Sequence, residues 1–508
     1  MRLIYKLLPV TAALILSGCA VGPDYQRPEV YVPHAYRTIG GEETDVQNWL
    51  DVCWWKEYGS TTLDQLVSSA LANNRNLQQT MANVERAAAA LTIARSDLFP
   101  QLNYSGEAAR QRVSENTLSG AQLQGRPYNA YQALAAASWE LDLWGKIRRQ
   151  TESAQATLRA TEASHKAAIV SVVSSTVTTY ISVLQAEEQL RIARETAQSY
   201  YQTYKLFLER YRVGNISEME VAQAKSQWQS AKVQIPGIEQ QKIELLNSLS
   251  ILTGVQVDQM PKLDRLGSLK TPKIAKGIPS KLLMDRPDVV AAEEQLISAN
   301  ADIGVARANY FPSISLSGGL GFSSDELSDL LKAPSKMWTL SGSITGPIFH
   351  WGAVRAGVRS AEAEEKALLA AYLLSVQQAF VDVDNSLSSR QNLLREMKDK
   401  RALVQTLREY KRLANAQYDG GYTGYVTVLQ AEQSLLPQEL SLAEVRASAL
   451  SSVARIYSSL GGAWIDQALM EEQAAIADRE AKAEAAKKAE DSGKTPDQNQ
   501  PPVTEKVP

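Results

Sequence analysis

The chain has 508 residues, 53 Lys+Arg against 56 Asp+Glu and a formal net charge of -3. That length allows two or three domains or one large one, and the balanced charge offers no basic surface of the kind nucleic acid requires. Two cysteines and three widely separated histidines, His34, His165 and His350, form no zinc pattern. No P-loop, nucleophile elbow or dinucleotide fingerprint occurs either, so nothing points to an enzyme or a cofactor.

Residues 1–18 read as a signal peptide: Arg2 and Lys6, then an almost wholly apolar run from Leu7 to Leu16. The run is too short to span a bilayer, which takes about 20 apolar residues. It closes as Leu16-Ser17-Gly18-Cys19, which resembles the bacterial lipobox, so Cys19 is the expected lipid-attachment residue and new N-terminus. Ala20, where an inner-membrane retention signal would place Asp, favours the outer membrane by analogy. With Cys19 lipidated, Cys53 has no partner for an internal disulfide.

The chain then repeats itself. ARSDLFPQLNYSG (94–106) parallels ARANYFPSISLSG (306–318), WGKIRRQ (144–150) parallels WGAVRAG (351–357), and RYRVGNISEMEVAQAK (210–225) parallels QYDGGYTGYVTVLQAE (417–432). The period far exceeds that of solenoids, which points to two copies of one large unit in tandem. An N-terminal segment, 19–60, precedes a first repeat over 61–260, a linker over 261–281 joins it to a second over 282–464, and a tail follows over 465–508.

In the first repeat strands are expected over about 99–142, a long helix over about 145–211 and a return helix over about 217–252; in the second, strands over about 311–348, a long helix over about 352–418 and a return helix over about 424–460. Ile314, Leu316, Leu320 and Phe322 alternate with Ser313, Ser315 and Ser317, and Trp338, Leu340 and Ile344 with Thr339, Ser341 and Ser343. Leu102 and Tyr104 alternate with Gln101, Asn103 and Ser105, and Tyr131, Ala133, Ala135, Ala137 and Trp139 give one more apolar face. The strands have about the 9–11 residues a membrane strand needs; a half-buried soluble sheet would show a similar alternation.

No Pro or Gly lies between Gly145 and Tyr211, so the helix there is a rod of roughly 100 Å. Ile169, Val173, Val177, Tyr180 and Leu184 share one helical face, as do Leu369, Tyr372, Val376, Phe380, Val383 and Leu387. A coiled-coil scaffold would carry the same stripes. Both rods end in a glycine turn, Val213-Gly214 and Gly420-Gly421; Ser217 and Glu220 form a capping-box pattern for the first return helix, and Thr423 is placed to cap the second. Four strands with a lipid-compatible face leave their edges unsatisfied in hydrocarbon and close no useful barrel, so a membrane role requires several chains to share one barrel.

LLMDRPDVVAAEEQLISANADIGVARANYFPSISLSGGLG (282–321) resembles the signature block of TolC-like outer-membrane factors, in their lipoprotein (NodT/OprM-like) branch. CAVGPDYQRP (19–28), WWKEYGSTTLDQLVSSALANN (54–74), WELDLWGKIR (139–148) and GPIFHWGAVR (346–355) extend the match to about Trp464. The resemblance implies a mainly α fold with membrane β: a TolC-like homotrimer with a shared 12-stranded β-barrel, four strands per chain, a long periplasmic α-helical barrel and a mixed equatorial domain. It implies a passive exit duct of a tripartite efflux system, docked at its tips by a periplasmic adaptor and an inner-membrane pump of RND type, exporting small molecules with no chemistry and no cofactor. A type I protein secretion duct and a lipid-anchored scaffold without a pore stay as alternatives.

Under the resemblance, Val213, Gly214, Gly420 and Gly421 are the adaptor-contact tips. Relatives often constrict the aperture with aspartates where this chain has Thr427 and Gln430; Asp419, Glu218 and Glu220 are the nearby acids, and Tyr422 and Tyr425 are candidates for a constriction without acid. Arg286-Pro287-Asp288 reads as a helix start, and Trp54-Trp55 as packing residues. The tail is charged, then Pro-rich, and too poor in large apolar residues to bury a core; it is expected to begin helical and fray.

Overall fold

The computed structural model describes residues 20–30, 53–116, 126–272 and 280–461, the side chains of 280–282 excepted. The signal segment, Cys19 and the tail beyond 464 lie outside these. Helices α1 (Thr61–Asn73) and α2 (Arg75–Ser96) precede strands β1 (Gln101–Gln111) and β2 (Tyr128–Leu141), then α3 (Lys146–Arg212) and α4 (Glu218–Thr253). Helix α5 (Pro287–Ala308) precedes β3 (Ser313–Ser324) and β4 (Lys336–Thr345), then α6 (Ala353–Asp419) and α7 (Tyr425–Ser459). Helices α3 and α6 have 67 residues each, which at 1.5 Å per residue is about 100 Å of rod. The chain divides into two compact units.

The first unit comprises 1–30, 81–163 and 289–375. Its four strands form one antiparallel sheet in the order β1-β2-β3-β4. Directly paired residues of an antiparallel sheet share a face, so the register sorts every side chain. Leu102 pairs with Ala137, Ala135 with Leu320, and Leu320 with Trp338, all on one face. Ser105 and Leu134, Ser317 and Ser341, and Ser315 and Ser343 lie on the other. The two serine hydroxyls of the last pair are 2.7 Å apart. The apolar face is largely uncovered: Tyr104 is 93% exposed and Leu340 78%.

At the helix end of the sheet stands a group of aromatics. Trp144 stacks on Phe311 at 4.7 Å and donates its indole N–H to the Pro312 carbonyl. Phe99, Phe349 and Trp351 are exposed there, the kind of residue that sits at a membrane–water boundary. Residues 20–30 lie across this unit as a strap. Val21 N–H donates to the Trp144 carbonyl at 3.0 Å, Arg149 pairs with Asp24 at 2.7 Å, and Glu293 accepts from Tyr25 and Arg27. Gly22, at φ +116°, meets Gly304 so closely that a Cβ on either would collide with backbone.

The second unit comprises 31–80, 164–288 and 376–508. Its core gathers Trp54, Trp55, Tyr58, the α3 stripe and the α7 positions Leu450, Val453, Ala454 and Tyr457. Trp54 stacks on Tyr457 at 4.9 Å, and the Tyr58 hydroxyl donates to the Leu450 carbonyl. Ile169, Val173, Val177, Tyr180 and Leu184 are all buried, and Cys53 is buried among them. Burial raises the Tyr180 hydroxyl to about 12; it donates to Asp264 at 2.8 Å. On α6, Tyr372, Val376, Val383 and Leu387 are buried, while Leu369 and Phe380 are only half-buried. Helices α3 and α6 each contain a window apolar enough to cross a membrane; in α3 that apolarity belongs to the core stripe.

Arg286 explains its motif. Its guanidinium grips the Asp288 carboxylate with two hydrogen bonds of 3.0 and 2.6 Å and donates to the Ser459 carbonyl at 2.6 Å. It therefore starts α5 and closes α7 together. Helix α2 opens differently, with the Asn74 side chain accepting from the backbone N–H of Asn76 and Leu77.

Candidate functional site

The two hairpin turns of the second unit carry the expected tip residues. At the first, Gly214 N–H bonds the Tyr211 carbonyl and Asn215 N–H the Arg210 carbonyl, both at 2.9 Å, with Gly214 at φ +77°. At the second, Gly421 N–H bonds the Tyr418 carbonyl at 3.0 Å and Tyr422 N–H the Gln417 carbonyl at 2.9 Å, with Gly421 at φ +73°. Both are Schellman closures, in which a left-handed glycine reverses the chain and satisfies the last carbonyls. Gly420 has another duty: a Cβ there would come within 2.8 Å of the Tyr422 ring.

The return helices start differently. Ser217 and Glu220 form a complete capping box, so the Glu220 carboxylate is occupied by the Ser217 N–H at 2.9 Å. Thr423 does not cap α7. The cap is Gly424, with no side-chain bond, because the Thr423 hydroxyl pairs with that of Thr427 at 2.7 Å.

Tyr425 and Tyr422, expected together at a constriction, have opposite environments. Tyr425 is 4% exposed; its ring packs edge-on to Phe207 at 4.6 Å and against Tyr418 at 5.6 Å. It is a core residue joining α3 and α7, and burial pushes its hydroxyl far above the ordinary value. Tyr422 is 87% exposed. Val213, Glu218, Asp419 and Gln430 are exposed, and Thr427 is half-buried.

Sequence reasoning passed over one buried acid. Glu432, 4% exposed, faces the Lys411 ammonium at 3.2 Å, and Lys411 lies over the Tyr200 ring. The Tyr200 hydroxyl reaches the Glu432 carbonyl at 3.3 Å. Burial raises the Glu432 carboxyl above its ordinary value, against the pull of Lys411. The signal available was weak: one acid on the apolar side of α7. Farther along, His165 accepts or donates at 2.8 Å to the Thr80 hydroxyl and is held toward neutrality by burial. Among the described residues no group of three His, Cys, Asp or Glu is placed to hold a metal ion.

Comparison with known proteins accounts for this combination of open sheet and paired hairpins. The family model for outer membrane efflux proteins matches residues 66–255 and 278–462. The probable outer membrane lipoprotein SilC of Salmonella typhimurium is 31% identical over 465 residues, covering 91% of this chain and 99% of SilC. The probable efflux pump outer membrane protein TtgC of Pseudomonas putida is 32% identical over 475 residues, covering 92% and 97%. The crystal structure of the Campylobacter jejuni CmeC outer membrane channel superposes with a TM-score of 0.83 at 28% identity, covering 90% of this chain and 99% of CmeC. The chain therefore belongs to the outer membrane efflux protein family.

Proposed function

We propose that this chain is the outer-membrane exit duct of a tripartite efflux system, assembled as a homotrimer whose three sheets close one 12-stranded barrel. The observation that carries the reading is the sheet itself. It exposes an apolar face and ends in two strands, β1 and β4, at its edges. In hydrocarbon an open edge leaves its N–H and C=O groups without partners, so another copy must supply them. The polar face would then line water. The recurrence of helix, two strands, 67-residue helix and return helix supports a tandem duplication. The hairpin tips, with Val213, Gly214, Gly420 and Gly421, are the surface for a periplasmic adaptor beneath an inner-membrane pump of RND type. Glu218, Asp419, Tyr422 and Gln430 are the exposed candidates there from which an aperture could be built. Cys19 would carry lipid as a second anchor. The duct performs no chemistry, and the pump selects the small molecules that leave.

The test is ion conductance of the purified protein in planar bilayers, beside its migration on gels with and without heating. A heat-modifiable trimer that conducts is the expected result. A non-conducting protein that is soluble without its lipid would overturn the reading in favour of a scaffold.

A further inference from the structure

The strands carry four charged residues: Glu107 and Arg110 on β1, Glu140 on β2 and Lys336 on β4. The register separates them by sign. Glu107 pairs with Gln132 and Glu140 with Ser315, both on the polar face. Arg110 pairs with Asn129 and Lys336 with Phe322, on the apolar face at the loop end of the sheet, where long cationic side chains reach the headgroups. Among the strand residues the polar face thus holds two carboxylates and no cation; Lys146, at the start of α3, lines the same groove as Glu140, Ser138 and Ser315. Both carboxylates are exposed. Its other polar side chains on β3 and β4, such as Ser315, Ser341 and Ser343, are neutral.

We propose that Glu107 and Glu140 make the barrel lumen selective for cations, as two rings of carboxylates, one toward each mouth. This rests on the duct reading above, because only a closed barrel turns one acid per chain into a ring. From Gln132, the partner of Glu107, to Glu140 is eight residues along β2, or about 27 Å of strand. At a strand tilt near 40° the rings stand roughly 20 Å apart along the axis. A ring of like charge facing water attracts counter-ions and repels co-ions, the device by which acidic rings select cations. The proposal places selectivity in the sheet, apart from the tips, where Thr427 and Gln430 are uncharged.

Screening sets the conditions of the test. The Debye length is about 30 Å at 0.01 M salt and about 3 Å at 1 M, so the rings act across the lumen only in dilute salt. Reversal potentials in planar bilayers under a KCl gradient are read for wild type, the double variant Glu107→Gln/Glu140→Gln, Glu107→Lys, and Asp419→Ala as the tip control. Glutamine keeps shape on an exposed face, and trimer on a gel confirms assembly. Wild type should favour K+ in dilute salt, with the preference fading near 1 M. The double glutamine variant should lower the cation-to-anion ratio by about threefold or more in dilute salt, from charges roughly 10 Å from the path in water. Glu107→Lys should lower it further. A conducting trimer whose selectivity is unmoved by these changes, or moved only by Asp419→Ala, overturns the proposal and leaves the duct standing. A wild type that passes no current removes the duct and the proposal with it.

Discussion

Tyr425→Ala tests whether the tip of the second hairpin is held from inside. The ring is 4% exposed and contacts Phe207 at 4.6 Å and Tyr418 at 5.6 Å. Truncating a buried aromatic to alanine costs about 3–5 kcal/mol, of which each aromatic pair contributes about 0.5–1.5 kcal/mol beyond area burial. The loss falls on a small cluster, Phe207, Val221, Ala224, Ala414, Tyr425, Val428 and Ala431, so the expected result is local opening of the hairpins. At about 1.4 kcal/mol per tenfold, amides that exchange through this opening should exchange about two to nearly four orders of magnitude faster. Hydrogen exchange read by mass spectrometry on the assembled protein covers the peptides around Phe207 and Tyr425. Amides of the Trp54–Tyr457 core serve as the unperturbed reference, and Tyr425→Phe should change little. If Tyr425→Ala leaves exchange near Phe207 unaltered yet raises single-channel conductance, the side chain lines the opening and the burial argument is wrong.

Gly421→Ala forces a Cβ into the left-handed region at φ +73°, at about 1–2 kcal/mol, with no collision since nothing lies within 4 Å; faster exchange confined to the second turn is expected, and Gly420→Ala should instead displace the Tyr422 ring, seen as a change in tyrosine fluorescence or its nuclear resonance. Glu432 gives a pH signature. Its folded acidity is shifted above the ordinary 4.5 by burial, against Lys411, so the protonated form is favoured in the hairpin. The stabilisation is complete below about pH 4.5 and is lost as pH rises through the raised value. Tyr200 and Tyr425, which lie beside it, stay neutral throughout this range. Exchange of the α7 amides, corrected for intrinsic rate, should quicken as pH rises above the ordinary carboxyl range in wild type and not in Glu432→Gln; equal pH dependence in both would exclude the carboxyl. Gly304→Ala places a Cβ 2.7 Å from the Val21 carbonyl, so proteolysis within residues 20–30 should accelerate while α3 and α6 stay protected.

The long rods could be read from sequence because their limits are chemical: Gly145 and Gly214 both adopt positive φ, and no Pro or Gly lies between Lys146 and Arg212. The sheet faces were legible because a period of two forces a choice of side at every residue. The return helices needed more than local rules, since Pro236 and Pro437 sit inside α4 and α7 without ending them; tertiary packing overrides the missing hydrogen bond. Thr423 and Tyr425 show why the tip was harder. Thr423 has the right chemistry for a cap, but Thr427 one turn on competes for its hydroxyl. Tyr425 lies next to the turn in sequence, yet it packs against Phe207, a residue more than two hundred positions earlier. Pattern reading sees neighbours along a helix face, and the environment of a side chain between two hairpins depends on a partner it cannot place.

The segment CAVGPDYQRP shows how much a short motif can hold when each residue has its own partner. Gly22 permits contact with Gly304, Asp24 answers Arg149, and Tyr25 and Arg27 share Glu293. Arg149 is 6% exposed in its side chain and also meets Glu152 at 2.7 Å, so Asp24 completes a pair whose removal would strand a buried cation. These partners sit on α3 and α5, within the unit that contains the sheet. The strap is therefore located by protein contacts alone. Ala20 packs where a Cβ on Gly145 would be 2.7 Å away, directly after the aromatic Trp144. Gly22, Gly304 and Gly145 are positions where a single added methyl group would press on the strap or its seat.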